Sequence, residues 1–411
     1  MIFTQNKSLN KIDAFNPALS FSGLYLLYSI SGFFYYSAEN KFESLNHTVY
    51  IVTCTLGLLA FLAAFLISNS ILKKSKYIRI PYVGTTEVYL VLIIFVSLYT
   101  FVNPDILRDI IEFDPKPYSE VALRDTRNAK SGPAGFLSEI YIHSIIFILL
   151  LSTLHRNKAS ILGCSMCIFY IIFAIKSGSK GPAIFLFLVL TLNYHYNIKK
   201  LNPLLLLSVV IVCIPLFSVF SHVRYVSDFT DMFEIGAVIL VENPNLLLPV
   251  GFGEFTGPPK TLYNIINVTS GTDSFNWGQR WLEEILVYIP YSLFPDRPLP
   301  SSELYVSMFL PNAPIGYGAG WFIVTDGYWA FGYLGVLIIM SLFGVFLSHA
   351  HWFYLKNRTN LLSKLGYPYL YFILVITSVR TGFFGSVKVF LMYLSFLIII
   401  FITVRLIRLA S

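Results

Sequence analysis

The sequence predicts an all-helical membrane protein of about ten transmembrane helices, and three observations lead there. Of its 411 residues, 56% are hydrophobic and only 12% charged, about half the charged share of a soluble domain. Mean hydropathy is +0.68. Aromatic residues reach 17%, with 37 Phe and 27 Tyr, the palette of lipid-facing and interfacial surfaces. An ordinary cytosolic enzyme, a disordered chain and a nucleic-acid binder are excluded. The net charge of +7 does not restore the last of these, because the basic residues sit between apolar runs and form no long cluster.

Ten stretches lack charge for long enough to cross a bilayer: roughly 19–37, 48–72, 87–103, 139–154, 159–175, 181–196, 201–221, 327–349, 366–380 and 388–404. The first follows Lys7 and Lys11 without a small-residue cleavage site and reads as a retained anchor. The KKSKYIR loop after the second run, with Lys73, Lys74, Lys76 and Arg79, is assigned to the cytoplasm. The other loops then alternate in step. Arg156, Lys158, Lys199, Lys200, Lys356, Arg358 and Lys364 fall inside, as do both termini. That side gathers fifteen of the 29 basic residues but only Asp13 and Glu87 of the 22 acidic ones.

Residues 235–250 are apolar but interrupted by Glu242, Asn243 and Pro244, and they read as an element on or dipping into the outer face. The chain is thus one membrane domain over 1–411, with outer loops at 104–138 and 222–326. The longer loop is where function is expected. Within it, Glu283 to Phe294 fits an interfacial helix, and GYGAGWFIVTDGYWAFGYLG (316–335) leads from glycines into a span.

Ionisable groups are scarce inside the runs. His143 stands alone there and reads as a packed or hydrogen-bonded histidine, which argues against an ion-driven carrier. Cys54, Cys164, Cys167 and Cys213 all lie in apolar runs, and the Cys164/Cys167 pair carries no metal or redox reading. The outer face differs. Lys176, Lys180, Arg224, Arg380 and Lys388 sit at outer span ends, Arg280 and Arg297 in the long loop, and Arg108, Arg124 and Arg127 in the shorter one. Cations on the side that topology disfavours are candidates for binding an anion, and the Arg fork suits phosphate. The five-residue turn within KSGSKGP (176–182) could hold an anion on backbone N–H groups. Trp277, Trp281, Trp321 and Trp329 read as interfacial anchors.

Three segments carry a family resemblance. SGSKG (177–181), IPYSLFPDRP (289–298) and DGYWAFGYLG (326–335) are similar to motif islands of the O-antigen (oligosaccharide repeat unit) polymerases, the Wzy-type family. The chain differs from that pattern at Tyr291, where a basic residue is common, and at Asp326, where Glu is more usual. Its Arg224-to-Gly236 spacing is one residue longer than an Arg-x10-Gly pattern. The resemblance implies a GT-C-like fold in the bacterial inner membrane with a periplasmic active face. It implies transfer of a glycan from undecaprenyl diphosphate to a sugar of a lipid-linked repeat unit, with no cofactor or metal. A chain-length regulator is the protein partner it implies.

Such chemistry needs cations on the departing diphosphate and a base for the attacking hydroxyl. The diphosphate-facing candidates are Arg280, Arg297, Lys180, Lys176, Arg224 and Arg380. The base candidates are Glu254, Glu303 and Asp326, then His222 and Glu283. An O-antigen ligase, or a flippase or exporter of lipid-linked oligosaccharide, is the alternative.

Overall fold

A computed structural model describes residues 13, 15–38, 44–74, 83–102, 133–154, 165, 167–170, 172, 180–202, 234, 238, 247–269, 275–289, 293–313 and 320–410. Among these, the secondary structure is helical: α1 (Pro17–Ala38), α2 (Ser44–Leu72), α3 (Thr85–Val102), α4 (Pro133–Leu154), α5 (Lys180–Asn197), α6 (Leu247–Thr269), α7 (Gln279–Leu286), α8 (Ser301–Phe309), α9 (Ile323–Lys356), α10 (Leu361–Tyr371) and α11 (Ser378–Ala410). A π-helical turn, Phe372–Thr377, joins the last two. Four helical stretches are long and apolar enough to cross a membrane: Pro17–Phe34, Asn46–Leu72, Ile323–Lys356 and Leu361–Leu409. Thr85–Phe101 and His143–Thr153 are shorter apolar helices. The predicted runs 159–175 and 201–221 lie almost wholly outside the described residues.

Side-chain contacts fix the directions of the helices. Tyr25 Oη donates to the Cys54 carbonyl at 2.9 Å and Tyr50 Oη to the Ser29 carbonyl at 3.0 Å, so α1 and α2 are antiparallel. Gly57 faces Val336, Gly344 faces Phe61 and Phe65, and Trp352 donates to Asn69. The long arm of α9 therefore runs parallel to α2. The two glycines are what let the backbones approach, and no other side chain would fit at Gly344 without displacing Phe61.

Both of the longest helical stretches conceal a reversal. In α9, Phe331 and Gly332 leave helical geometry, Gly332 with φ 58. Gly327 packs against the Gly335 backbone, and Val324 and Val336 both reach Gly57. Residues 323–330 are thus a half-helix folded back on the arm that starts at 333. In α11, Gly382 has φ 77 and ψ 176. Gly366 lies against Tyr393 and Leu397, and Tyr369 stacks on Tyr393 with centroids 4.6 Å apart. These pairs mirror about residue 381, so 361–381 and 383–410 form a hairpin, in the register of the predicted runs 366–380 and 388–404. The predicted run 327–349 differs in that its opening belongs to the half-helix.

The core is aromatic, with Phe21, Phe61 and Phe343 in mutual contact. His143 accepts or donates a hydrogen bond with Tyr369 Oη at 2.9 Å and stacks on Tyr393. Cys54 and Cys167 are buried thiols outside any disulfide. At the end where α2 finishes, Arg408 pairs with Glu87 at 2.8 Å. Asp13 there receives His195 Nε2 at 2.9 Å and Lys200 Nζ at 2.8 Å. The Leu201 N–H donates to His195 Nδ1, so Nε2 is the nitrogen that carries the proton toward Asp13. Burial would raise the Asp13 carboxyl, yet the His195 and Lys200 hydrogen bonds outweigh it and hold that carboxyl well below the usual carboxylate range.

Candidate functional site

In the half of the bundle toward the α1-to-α2 connection, four segments of the chain converge. Gly278, at φ 82, starts α7. The helix therefore begins at Gln279 and ends at Leu286, earlier than the 283–294 expected from the sequence. Just past its end, Arg297 donates to the Val287 and Ile289 carbonyls at 2.8 and 2.9 Å and holds the turn that follows the helix. One polar face of α7 is buried, at Arg280 and Glu284, four residues and one turn apart.

Arg280 is held by protein acceptors. Its Nε donates to Ser301 Oγ at 2.9 Å, one terminal nitrogen to Glu283, and the other to the Leu299 carbonyl. The Glu284 carboxylate lies 3.5 Å from that second nitrogen and also accepts the Ser301 N–H. The guanidinium stands 5.5 Å from the Trp329 ring centroid. Arg280 thereby ties α7 to the N-terminus of α8 and to the half-helix of α9.

Asp326 is the third buried ionisable residue of the site, 5% exposed. Trp321 Nε1 donates to its Oδ1 at 2.5 Å, and the Phe383 N–H donates to its Oδ2 at 2.6 Å. The carboxylate thus caps the N-terminus of the returning arm of the 361–410 hairpin, where backbone donors have no intrahelical partner. Trp321 N–H donates to the Arg380 carbonyl, and Trp281 Nε1 to the Asp326 carbonyl at 2.9 Å. Tyr288 Oη donates to the Phe384 carbonyl at 2.8 Å. Gly382 has no room for a side chain beside Trp321 and Asp326. The hairpin tip, the half-helix and α7 are locked together by these bonds.

Arg380 is exposed at the hairpin tip and Glu303 is exposed in the first turn of α8. The structure brings Arg280, Arg297, Asp326 and Arg380 into one neighbourhood with Glu283. Lys180 opens α5 and Glu254 lies in α6, but their side chains are outside the described residues, as are Lys176, His222 and Arg224 altogether. Sequence reasoning missed Glu284, and it read Trp321 and Trp329 as interfacial anchors where both are buried, Trp321 as a donor to Asp326. The signal for Glu284 was present: Arg280 and Glu284 share one face of a helix whose other face is Leu282, Ile285 and Leu286. Among the described residues, no three of His, Cys, Asp and Glu group as a metal site.

α6 closes the site from the side. It continues through GFGEFTGPPKT, with Pro258 and Pro259 inside it, and Pro259 fits into the gap at Gly32 of α1. Thr261 Oγ1 accepts the Phe322 N–H at 3.3 Å and donates to Pro258 O at 2.6 Å. Asn264 donates to Tyr305 Oη at 2.7 Å.

No family model, curated protein or solved structure matches this chain.

Proposed function

We propose that this protein is a glycosyltransferase of the oligosaccharide repeat unit polymerase type. In this reading it lies in the bacterial inner membrane with ten spans, both termini cytoplasmic and the Asp326 end facing the periplasm. The observation that carries the proposal is the meeting of α7, through Arg280 and Trp281, with 321–335 in one polar and aromatic cluster in the same half of the bundle. The second of these contains one of the three segments on which the family resemblance rests, 326–335, and α7 leads into another, 289–298, whose Arg297 bonds back to Val287 and Ile289. The basic residues Lys73, Lys74, Lys199, Lys200 and Lys356 lie toward the other end, which supports that orientation.

The reaction joins two lipid-linked glycans. A sugar hydroxyl of the incoming repeat unit attacks the anomeric carbon of the growing chain. The bond from that carbon to the phosphate oxygen breaks, and undecaprenyl diphosphate leaves with the bonding pair. Arg380, with Lys180, Lys176 and Arg224, stabilises the departing charge. Arg280 positions α7 and α8 rather than meeting the diphosphate, because its Nε and both terminal nitrogens already serve protein acceptors, and Arg297 Nη1 holds the turn after α7. Asp326 likewise positions the Arg380 tip, since both of its oxygens accept bonds. Glu303, exposed at the start of α8, is the preferred base, with Glu254 and His222 behind it.

The test is complementation of a polymerase-deleted host, read as the polysaccharide ladder on a gel. Wild type restores the ladder, while Arg380→Ala and Glu303→Gln, at equal membrane levels, leave a single capped repeat unit. No ladder from wild type would sink the proposal. Restored export of lipid-linked repeats in a flippase-deleted host would instead favour a carrier.

A further inference from the structure

α7 is built inside out for a helix in water. Two of its three charged residues, Arg280 and Glu284, are 4% and 6% exposed and the third, Glu283, is half-buried against Arg280, while Leu282 and Ile285 are 66% and 52% exposed. Leu286 extends the exposed apolar face of the helix, and Trp277 before it and Ile289 and Leu293 after it are exposed as well. A surface helix turns its apolar stripe to the core and its charges outward, and a contiguous exposed apolar patch marks an interaction site. The depth of the helix identifies the partner. Trp281 rests on Phe331 and bonds Asp326, in the half-helix whose start lies level with Gly57, midway along α2. Gly57 lies about 20 Å along the axis from the start of α2. α7 therefore sits beside the α1-to-α2 half of the bundle and not above it. Its apolar stripe is continuous in character with Leu334, Leu337 and Ile338 of α9 and Leu391 and Leu394 of α11, all exposed as spans expose residues to lipid.

We infer that α7 lies immersed in the bilayer, its Leu282–Ile285 face and Leu293 beyond it against phospholipid acyl chains, and forms the lipid-facing wall of the Arg280–Glu284–Asp326 cluster. One helix then separates a charged cluster from hydrocarbon, which explains why every donor of that cluster described above is matched to an acceptor. The inference is independent of the reaction proposed above.

The experiment places p-benzoylphenylalanine at Leu282, Ile285 or Leu293 of the full chain in nanodiscs of phosphatidylethanolamine and phosphatidylglycerol. Irradiation is followed by intact mass. Leu394 serves as the lipid-facing reference and Asn312 as the loop reference. A one-phospholipid adduct is expected at the three α7-region positions and at Leu394, and none at Asn312. Absence of the adduct at all three positions while Leu394 gives it would overturn the inference, as would a covalent dimer of the chain. Hydroxyl-radical footprinting of the unmodified chain in the same nanodiscs provides a check free of substitutions. Protection of peptide 282–289 supports immersion, and oxidation matching the loop at 311–313 contradicts it.

Discussion

Replacing Asp326 with Asn probes the junction that holds the hairpin tip. The carboxylate accepts from Trp321 Nε1 at 2.5 Å and from the Phe383 N–H at 2.6 Å. An amide keeps one acceptor and turns an NH2 toward the other donor. One charge-assisted bond is lost and one buried N–H is left facing a donor, at a cost of about 2–3 kcal/mol. If that cost falls on opening of the tip alone, amides of 378–386 exchange hydrogen roughly 30- to 150-fold faster, since about 1.4 kcal/mol is tenfold. The assay is hydrogen–deuterium exchange in nanodiscs, with α2 as the internal reference. Trp321→Phe, which removes the indole donor and shrinks a buried ring, should accelerate the same amides. Exchange of the tip within twofold of wild type, in a folded Asp326→Asn protein, would refute the capping role.

Other outcomes follow from the same structure. Gly382→Ala must hold φ 77 with a Cβ placed 2.5 Å from Trp321 Cδ1, so the yield of monodisperse protein should collapse on size-exclusion. Gly23→Ala, where nothing lies within 4 Å, should instead raise the melting temperature slightly, by about 0.5–1 kcal/mol of stability. Arg280→Ala leaves the Glu284 charge buried without its cation and should cost about 3–5 kcal/mol in thermal denaturation. The pair Arg280→Met with Glu284→Leu should recover part of that. For Asp13, whose folded carboxyl lies below its ordinary value of 3.8, the stabilisation is complete above that value and fades as pH falls through the folded pKa. Wild type should therefore lose melting temperature on acidification below about pH 4 more steeply than Asp13→Asn.

The long apolar helices were legible because a charge-free run such as 48–72 has one stable answer in lipid. The two reversals were less so. The gap between runs 366–380 and 388–404 anticipated the hairpin, whereas the fold-back of 323–330 is apolar throughout except Asp326, and hydropathy does not register the φ of Gly332. α6 was hidden by its own glycines and prolines, since only the gap at Gly32 explains how Pro259 fits. Asp326 stood out as an acid at the mouth of a span and read as a base. Its capping role depends on Phe383, 57 residues away, a contact no local pattern encodes. Arg280 was expected to face a diphosphate, and its protein partners Glu284 and Ser301 emerge only when α7 and α8 are brought together.

The function proposed for this protein is elongation of a lipid-linked glycan. Purified protein in liposomes, supplied with undecaprenyl-diphosphate-linked repeat units, tests it most directly by mass spectrometry of glycan and lipid products. A polymerase yields glycans of two and more repeat units on lipid, with one undecaprenyl diphosphate released for each linkage formed. Repeat units that cross the bilayer unchanged, with no diphosphate released, would contradict it.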